Sequence, residues 1–257
     1  MALVLLACTL TFAQRRRESA AAVDPNVLAA ESYLRQRNYV KAIEALELSL
    51  NVSPPGRPEL FEMLASACLS SGDKMGALGA FERGIAAHPS STKLKELYIS
   101  PLPIALSREA VREKLEGALK KANSPIFQKA IGQLLLAENP LNARAGQLLS
   151  SAVSSLPRDP EALYFYGQWA CLNGREALCV TELIKALALA PHNDEAHMQI
   201  YTLIGVAEDE LNHAALAERA FKNALRFNQK LQTKNPQAAF QYAKFLIKRS
   251  RGVKRKS

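Results

Sequence analysis

Proline returns along this chain at Pro54, Pro89, Pro157 and Pro191, with gaps of 35, 68 and 34 residues. The middle gap is two periods long, so one unit of the same length is hidden inside it. A fixed period near 34 residues marks a solenoid of helix pairs, because no single pair can bury its apolar face alone. Read back from each proline, the same residue types stand at the same offsets. The unit closing at Pro89 contains Phe61, Leu64, Ala65 and Cys68, then Gly72-Asp73, then Ala77, Phe81, Gly84 and Ile85. The unit closing at Pro191 contains Leu163, Tyr166, Gly167, Ala170, Gly174, Cys179, Leu183, Ala186 and Leu187. The unit closing at Pro54 contains Ala29, Ala30, Tyr33, Asn38-Tyr39, Ala42, Leu46, Ser49 and Leu50. Large residues at i, i+3 and i+7 make one helical stripe, a short turn follows, and a second stripe closes the pair. Small residues let the two helices approach, Gly72 and Gly174 suit a left-handed turn, and the closing proline cannot continue the second helix. Chance repetition in an irregular bundle would not return seven or more offsets in three units.

These residues follow a large-small-aromatic-small-aromatic-small-proline order that resembles the tetratricopeptide repeat and points to a bacterial protein. The resemblance covers roughly residues 24 to 248. It implies an all-α fold, a right-handed α-solenoid of stacked antiparallel helix hairpins. The expected units span residues 24–57, 58–91, 92–125, 126–159, 160–193 and 194–231. A capping or truncated helix follows at 236–249 and a basic tail at 250–257. The 92–125 unit is degenerate, because Pro101 and Pro103 each remove a backbone donor and shorten or kink its first helix. At 126–159, Lys129 stands where the repeat wants a large aromatic.

The formal charge of +9 lies at the ends. Arg15, Arg16 and Arg17 supply three positive charges, and Lys248, Arg249, Arg251, Lys254, Arg255 and Lys256 supply six. Those nine account for the whole excess, so the body carries no net basic field and nucleic acid is disfavoured as the main partner. No apolar run of membrane-spanning length occurs in the body. Residues 1–17 read as an export signal with a cut after Ala13, which would make the protein periplasmic. Leu5-Leu6-Ala7-Cys8 also resembles a lipoprotein signal, and a disordered cytoplasmic end is the remaining alternative.

Catalytic signals are lacking. "GDKMGALG" has no Lys-Ser/Thr ending and falls in a repeat turn, and no GxSxG or HExxH is present. His88, His192, His197 and His213 are too dispersed for a metal, so no metal or other cofactor is expected. Cys171 and Cys179 are read as small core residues rather than a bridge. The expected function is a non-catalytic scaffold for a protein or peptide partner. The alternatives are an envelope-assembly lipoprotein and a regulatory part of a larger enzyme or sensor. By the inward-facing offsets that the resemblance implies, the partner-binding candidates are Glu31, Arg35, Glu62, Ser66, Tyr164, Gln168 and Thr202. Val27, Leu69, Cys171 and Val206 fall in the same register. The basic clamp that chaperone-tail binders of the family use is missing, since its sites hold Val27, Glu31, Glu62 and Ser66.

Overall fold

The computed structural model describes residues 24–52, 57–190 and 193–254. The export and lipidation readings at Cys8 and Ala13, the first arginine cluster, Pro54, Pro191, His192 and residues 255–257 lie outside the described residues. All regular structure among the described residues is helical. The chain divides into two compact units, one ending at Val111 and one beginning at Arg112.

The first unit contains α1 (Pro25–Arg35), α2 (Tyr39–Val52), α3 (Pro58–Ser71), α4 (Lys74–Ala87), α5 (Thr92–Ile99) and the single turn α6 (Leu102–Ala105). A further helix, α7 (Arg108–Ala122), contains the boundary between the units. The second unit continues with α8 (Pro125–Glu138), α9 (Ala143–Ser155), α10 (Pro160–Leu172), α11 (Glu176–Leu189), α12 (Asp194–Glu210), α13 (Ala214–Lys230) and α14 (Pro236–Lys254). Helices pair as α1/α2, α3/α4, α8/α9, α10/α11 and α12/α13, and α2 packs on α3, α4 on α5, α9 on α10, α11 on α12 and α13 on α14. In the second unit the first helices also touch in sequence, α8 to α10 to α12 to α14. This is the all-α hairpin solenoid that the period of 34 demands. The helix due after Ser91 breaks at Pro101 into α5 and α6, as two prolines in nine residues require.

Proline also marks starts. Pro25, Pro58, Pro125 and Pro160 occupy the first turn of a first helix, where a missing N–H costs nothing. Side-chain caps complete several of these ends. Asp159 accepts hydrogen bonds from the backbone N–H groups of Glu161 and Ala162 at 2.9 and 3.0 Å. Gly72 and Gly174 take positive φ in the turns between paired helices.

Each pair of the second unit closes by setting a large side chain of the second helix against a gap in the first. Leu149 faces Gly132, Leu183 faces Gly167 and Phe221 faces Gly205, so closely that a Cβ on any of these glycines would lie 2.7–2.8 Å from the opposing side chain. Successive pairs use the reverse arrangement as well, with Trp169 of α10 filling the space beside Gly146 of α9. Lys129 is explained by its neighbours. Its ammonium donates to Asp159 at 2.8 Å and Glu161 at 2.7 Å, tying α8 to the start of α10.

One expectation is corrected. Cys171 and Cys179 form a disulfide, with Cα atoms 5.0 Å apart. Both lie close to the same turn, Cys171 at the end of α10 and Cys179 in the first turn of α11, so the antiparallel pair brings them within bridging range. Closing so short a loop constrains the unfolded chain by about 2.5 kcal/mol. Cys171→Ser should therefore lower unfolding free energy by about 2–3 kcal/mol in urea titrations, and added dithiothreitol should lower the parent chain by a similar amount while leaving the variant unchanged.

Candidate interaction groove

The first helices supply the surface on which a partner could lie. In the first unit, Glu31 and Arg35 are exposed on α1, and Ser66 and Leu69 are exposed on α3. Glu62 is half-buried and pairs with Lys93 of α5. Among the described residues no hydrogen bond or ion pair joins Glu31 or Arg35 to Glu62 or Ser66. Val27 is only 4% exposed and belongs to the core, which removes it from the surface set.

In the second unit, Tyr164 of α10 reaches the neighbouring first helix, its hydroxyl donating to Gln199 Oε1 of α12 at 3.3 Å. Burial pushes the phenol above its ordinary pKa, so it remains a hydrogen-bond donor. Gln168 is half-buried one turn further on. Cys171 is consumed by the disulfide. Thr202 is a correction: it is 6% exposed and its hydroxyl donates to the Met198 carbonyl at 2.8 Å, so it has no free face for a partner.

A concavity of about 740 Å³ lies between α12 and α14. Val206, Phe221 and Phe245 give it an apolar base, and Asp209 and Glu210 line the α12 side. Gln241, Lys244, Lys248 and Arg251 face them from α14. Lys248 donates to Asp209 at 2.8 Å and lies 3.7 Å from Glu210. The Asp209 carboxylate that accepts this bond holds the Lys248 ammonium above its ordinary pKa. The sequence pattern sets Lys248 on a capping or truncated helix at 236–249 and Arg251 in a basic tail. Instead α14 runs through Lys254, and both line the cavity. A polar rim of both signs over an apolar base suits a peptide or helix carrying apolar anchors between charged residues. Among the described residues, no group of His, Cys, Asp or Glu is placed to hold a metal ion, and no helix is long and apolar enough to cross a membrane.

Antiparallel helix pairs of this period, with small-against-large closure and a surface of first helices, make the chain an α-solenoid with the tetratricopeptide-repeat fold. PilF of Pseudomonas aeruginosa is one solved structure that shares it, with a TM-score of 0.57 and 13% identity over 88% of this chain and 96% of that one. Another is YrrB, described as a TPR protein with an unusual peptide-binding site, with a TM-score of 0.53 and 16% identity over 79% of this chain and 96% of that one. In sequence, the chain is 29% identical over 181 residues to cellulose synthase operon protein C of Escherichia coli K12. That match covers 65% of this chain, and the chain spans about 16% of the relative's length. No family model matches the chain.

Proposed function

We propose that this chain is a non-catalytic interaction scaffold that holds a peptide or helical segment of another protein along the first helices of its second unit. The cavity between α12 and α14 carries this reading, because it joins an apolar base to a rim of Asp209, Glu210, Lys244, Lys248 and Arg251. Stacked helices order such a surface before a partner arrives, which reduces the entropy lost on docking. Tyr164 and Gln168 extend the same row of first helices towards α10. Glu31, Arg35, Glu62 and Ser66 form the corresponding surface of the first unit, available to a separate segment. The charged groups lining the cavity offer complementarity rather than a nucleophile beside a base.

The Cys171–Cys179 bridge supports export to an oxidising compartment such as the periplasm, where disulfides persist. The test is a peptide-display selection against the intact chain. Selected sequences should carry apolar anchors spaced among charges, and Lys248→Glu should weaken their binding by about tenfold. Selection of no peptide that responds to Lys248→Glu or Tyr164→Ala would remove the groove from consideration.

A further inference from the structure

Cys171 and Cys179 share one bond but stand in unequal surroundings. Cys179 is 0% exposed and lies on the buried stripe of α11 with Leu183 and Ala186. Cys171 is partly exposed near the end of α10. It follows Gln168 by three residues and Tyr164 by seven, so the three share one face of that helix. Thiol–disulfide exchange begins when a thiolate reaches one of the two sulfurs, and access decides which one. Here the Cys171 side is the one a reagent in solvent can approach.

The turn between α10 and α11 does not depend on the bridge. The Arg175 N–H donates to the Ala170 carbonyl at 2.9 Å, and the Asn173 N–H to the Trp169 and Ala170 carbonyls at 3.1 and 3.2 Å. The Asn173 side-chain amide donates to the Pro140 carbonyl at 2.9 Å, which ties this turn to the one between α8 and α9. Leu183 fills the space over Gly167, and Trp169 fills that beside Gly146. The Trp169 indole N–H donates to the Asn142 carbonyl at 3.1 Å, and the Arg175 guanidinium lies over its ring. With these contacts in place, breaking the S–S bond leaves the pair closed. Cys179 then remains buried as a small apolar residue, and Cys171 presents the accessible thiol.

The geometry points to this bridge as a reversible exchange site for a dithiol, entered at Cys171 and resolved by Cys179. A thiolate of the dithiol attacks Sγ of Cys171 and forms a mixed disulfide. The internal S–S bond breaks, and Cys179 leaves as a thiolate and is protonated. The second thiolate of the dithiol then displaces Cys171, which is protonated in turn. Two electrons and two protons pass from the dithiol, which ends as a disulfide, to the chain, which ends as two thiols. In reverse, Cys179 attacks the mixed disulfide at Cys171 and expels the reagent as a thiolate. The closed pair holds the two Cα atoms 5.0 Å apart, within bridging range, so a reagent stays on Cys171 only transiently. The site operates whether or not a partner occupies the cavity between α12 and α14.

Reduction of the intact, folded chain with dithiothreitol, followed by iodoacetamide and peptide mass spectrometry, tests this. Cys171 should be alkylated at least about a hundredfold faster than Cys179, and urea should erase the difference. Emission of Trp169, the single tryptophan of the chain, should keep its wavelength on reduction because the pair stays closed. With glutathione disulfide as the probe, Cys179→Ser should accumulate a mixed disulfide at Cys171. The reduced parent chain should instead return to the internal bridge, and Cys171→Ser should leave Cys179 unmodified while folded. Peptide mapping separates these products from any at Cys8 and Cys68. Alkylation of both cysteines at similar rates, first attack at Cys179, or a red shift of Trp169 on reduction would each overturn the proposal. A bridge that dithiothreitol reduces only in urea would overturn it as well, by showing that neither sulfur can be reached.

Discussion

Phe221→Ala should destabilise the second unit by about 3–5 kcal/mol, the cost of emptying a well-packed aromatic site. The ring is 1% exposed and fills the space over Gly205. It also meets Phe245 and Tyr242 of α14, with ring centroids 5.5 and 5.8 Å away. One side chain therefore closes the α12/α13 pair and seats α14 on it. Chemical denaturation would read the total loss, and amide exchange in α14 should accelerate most, because its packing depends on that ring. Gly205→Ala offers a second, opposite reading. In the parent chain its added Cβ would lie 2.7 Å from the Phe221 ring and should destabilise the pair. In the Phe221→Ala background the same change fills vacated space and restores helix propensity, so it should become stabilising. Equal effects in the two backgrounds would show that this contact does not close the pair.

The second large effect lies at the junction of α8 and α10. Asp159→Ala should cost about 3 kcal/mol, of which the lost helix cap accounts for about 1 kcal/mol. The remainder comes from leaving the largely buried Lys129 ammonium with Glu161 alone, whose side chain is 54% exposed. Lys129→Met should cost less, about 1 kcal/mol, because Asp159 keeps its two backbone donors and the long apolar side chain fills the same space. Burial pulls the Asp159 pKa upward, but hydrogen bonds from Lys129 and the backbone N–H groups of Ala162 and Glu161 outweigh it, and the net shift is downward. Its contribution is thus complete above the unfolded carboxylate pKa, near 4, and is lost as pH falls through the lower folded value. For Lys129, burial pulls downward and the two carboxylates outweigh it, giving a net rise. Its contribution holds below about pH 10 and is lost as pH rises through the folded value. Denaturation between neutral pH and pH 2 should show a steeper acid limb in the parent chain than in Asp159→Ala. Parallel limbs would sink this assignment.

The same junction shows where a repeat pattern stops being informative. Against a signature of large aromatics, Lys129 is a defect. Its role follows from Asp159 and Glu161, 30 and 32 residues further on, which the stacking of α10 beside α8 brings to it. The groove shows a related limit. Gln168 and Val206 stand 38 residues apart in one register, and the next step lands on Lys244, a residue of the cavity. Periodicity therefore held the signal for the α14 wall, but charge counting set Lys248 and Arg251 only among the charges at the end of the chain. Thr202 errs the other way: its register is that of Tyr164, yet it is buried and its hydroxyl turns back to the Met198 carbonyl of its own helix. The disulfide was also legible in part, since two cysteines flanking a turn are near neighbours in any antiparallel pair.

Sequence alone determined the hairpin solenoid, its turns at Gly72 and Gly174, and the break at Pro101, because each rests on local stereochemistry and on apolar spacing within one or two helices. Only tertiary structure decided which charges pair and which register positions remain open. Those outcomes depend on contacts between helices one repeat apart, where a shift of one helical turn exchanges a buried side chain for an exposed one without altering the period that specifies the fold.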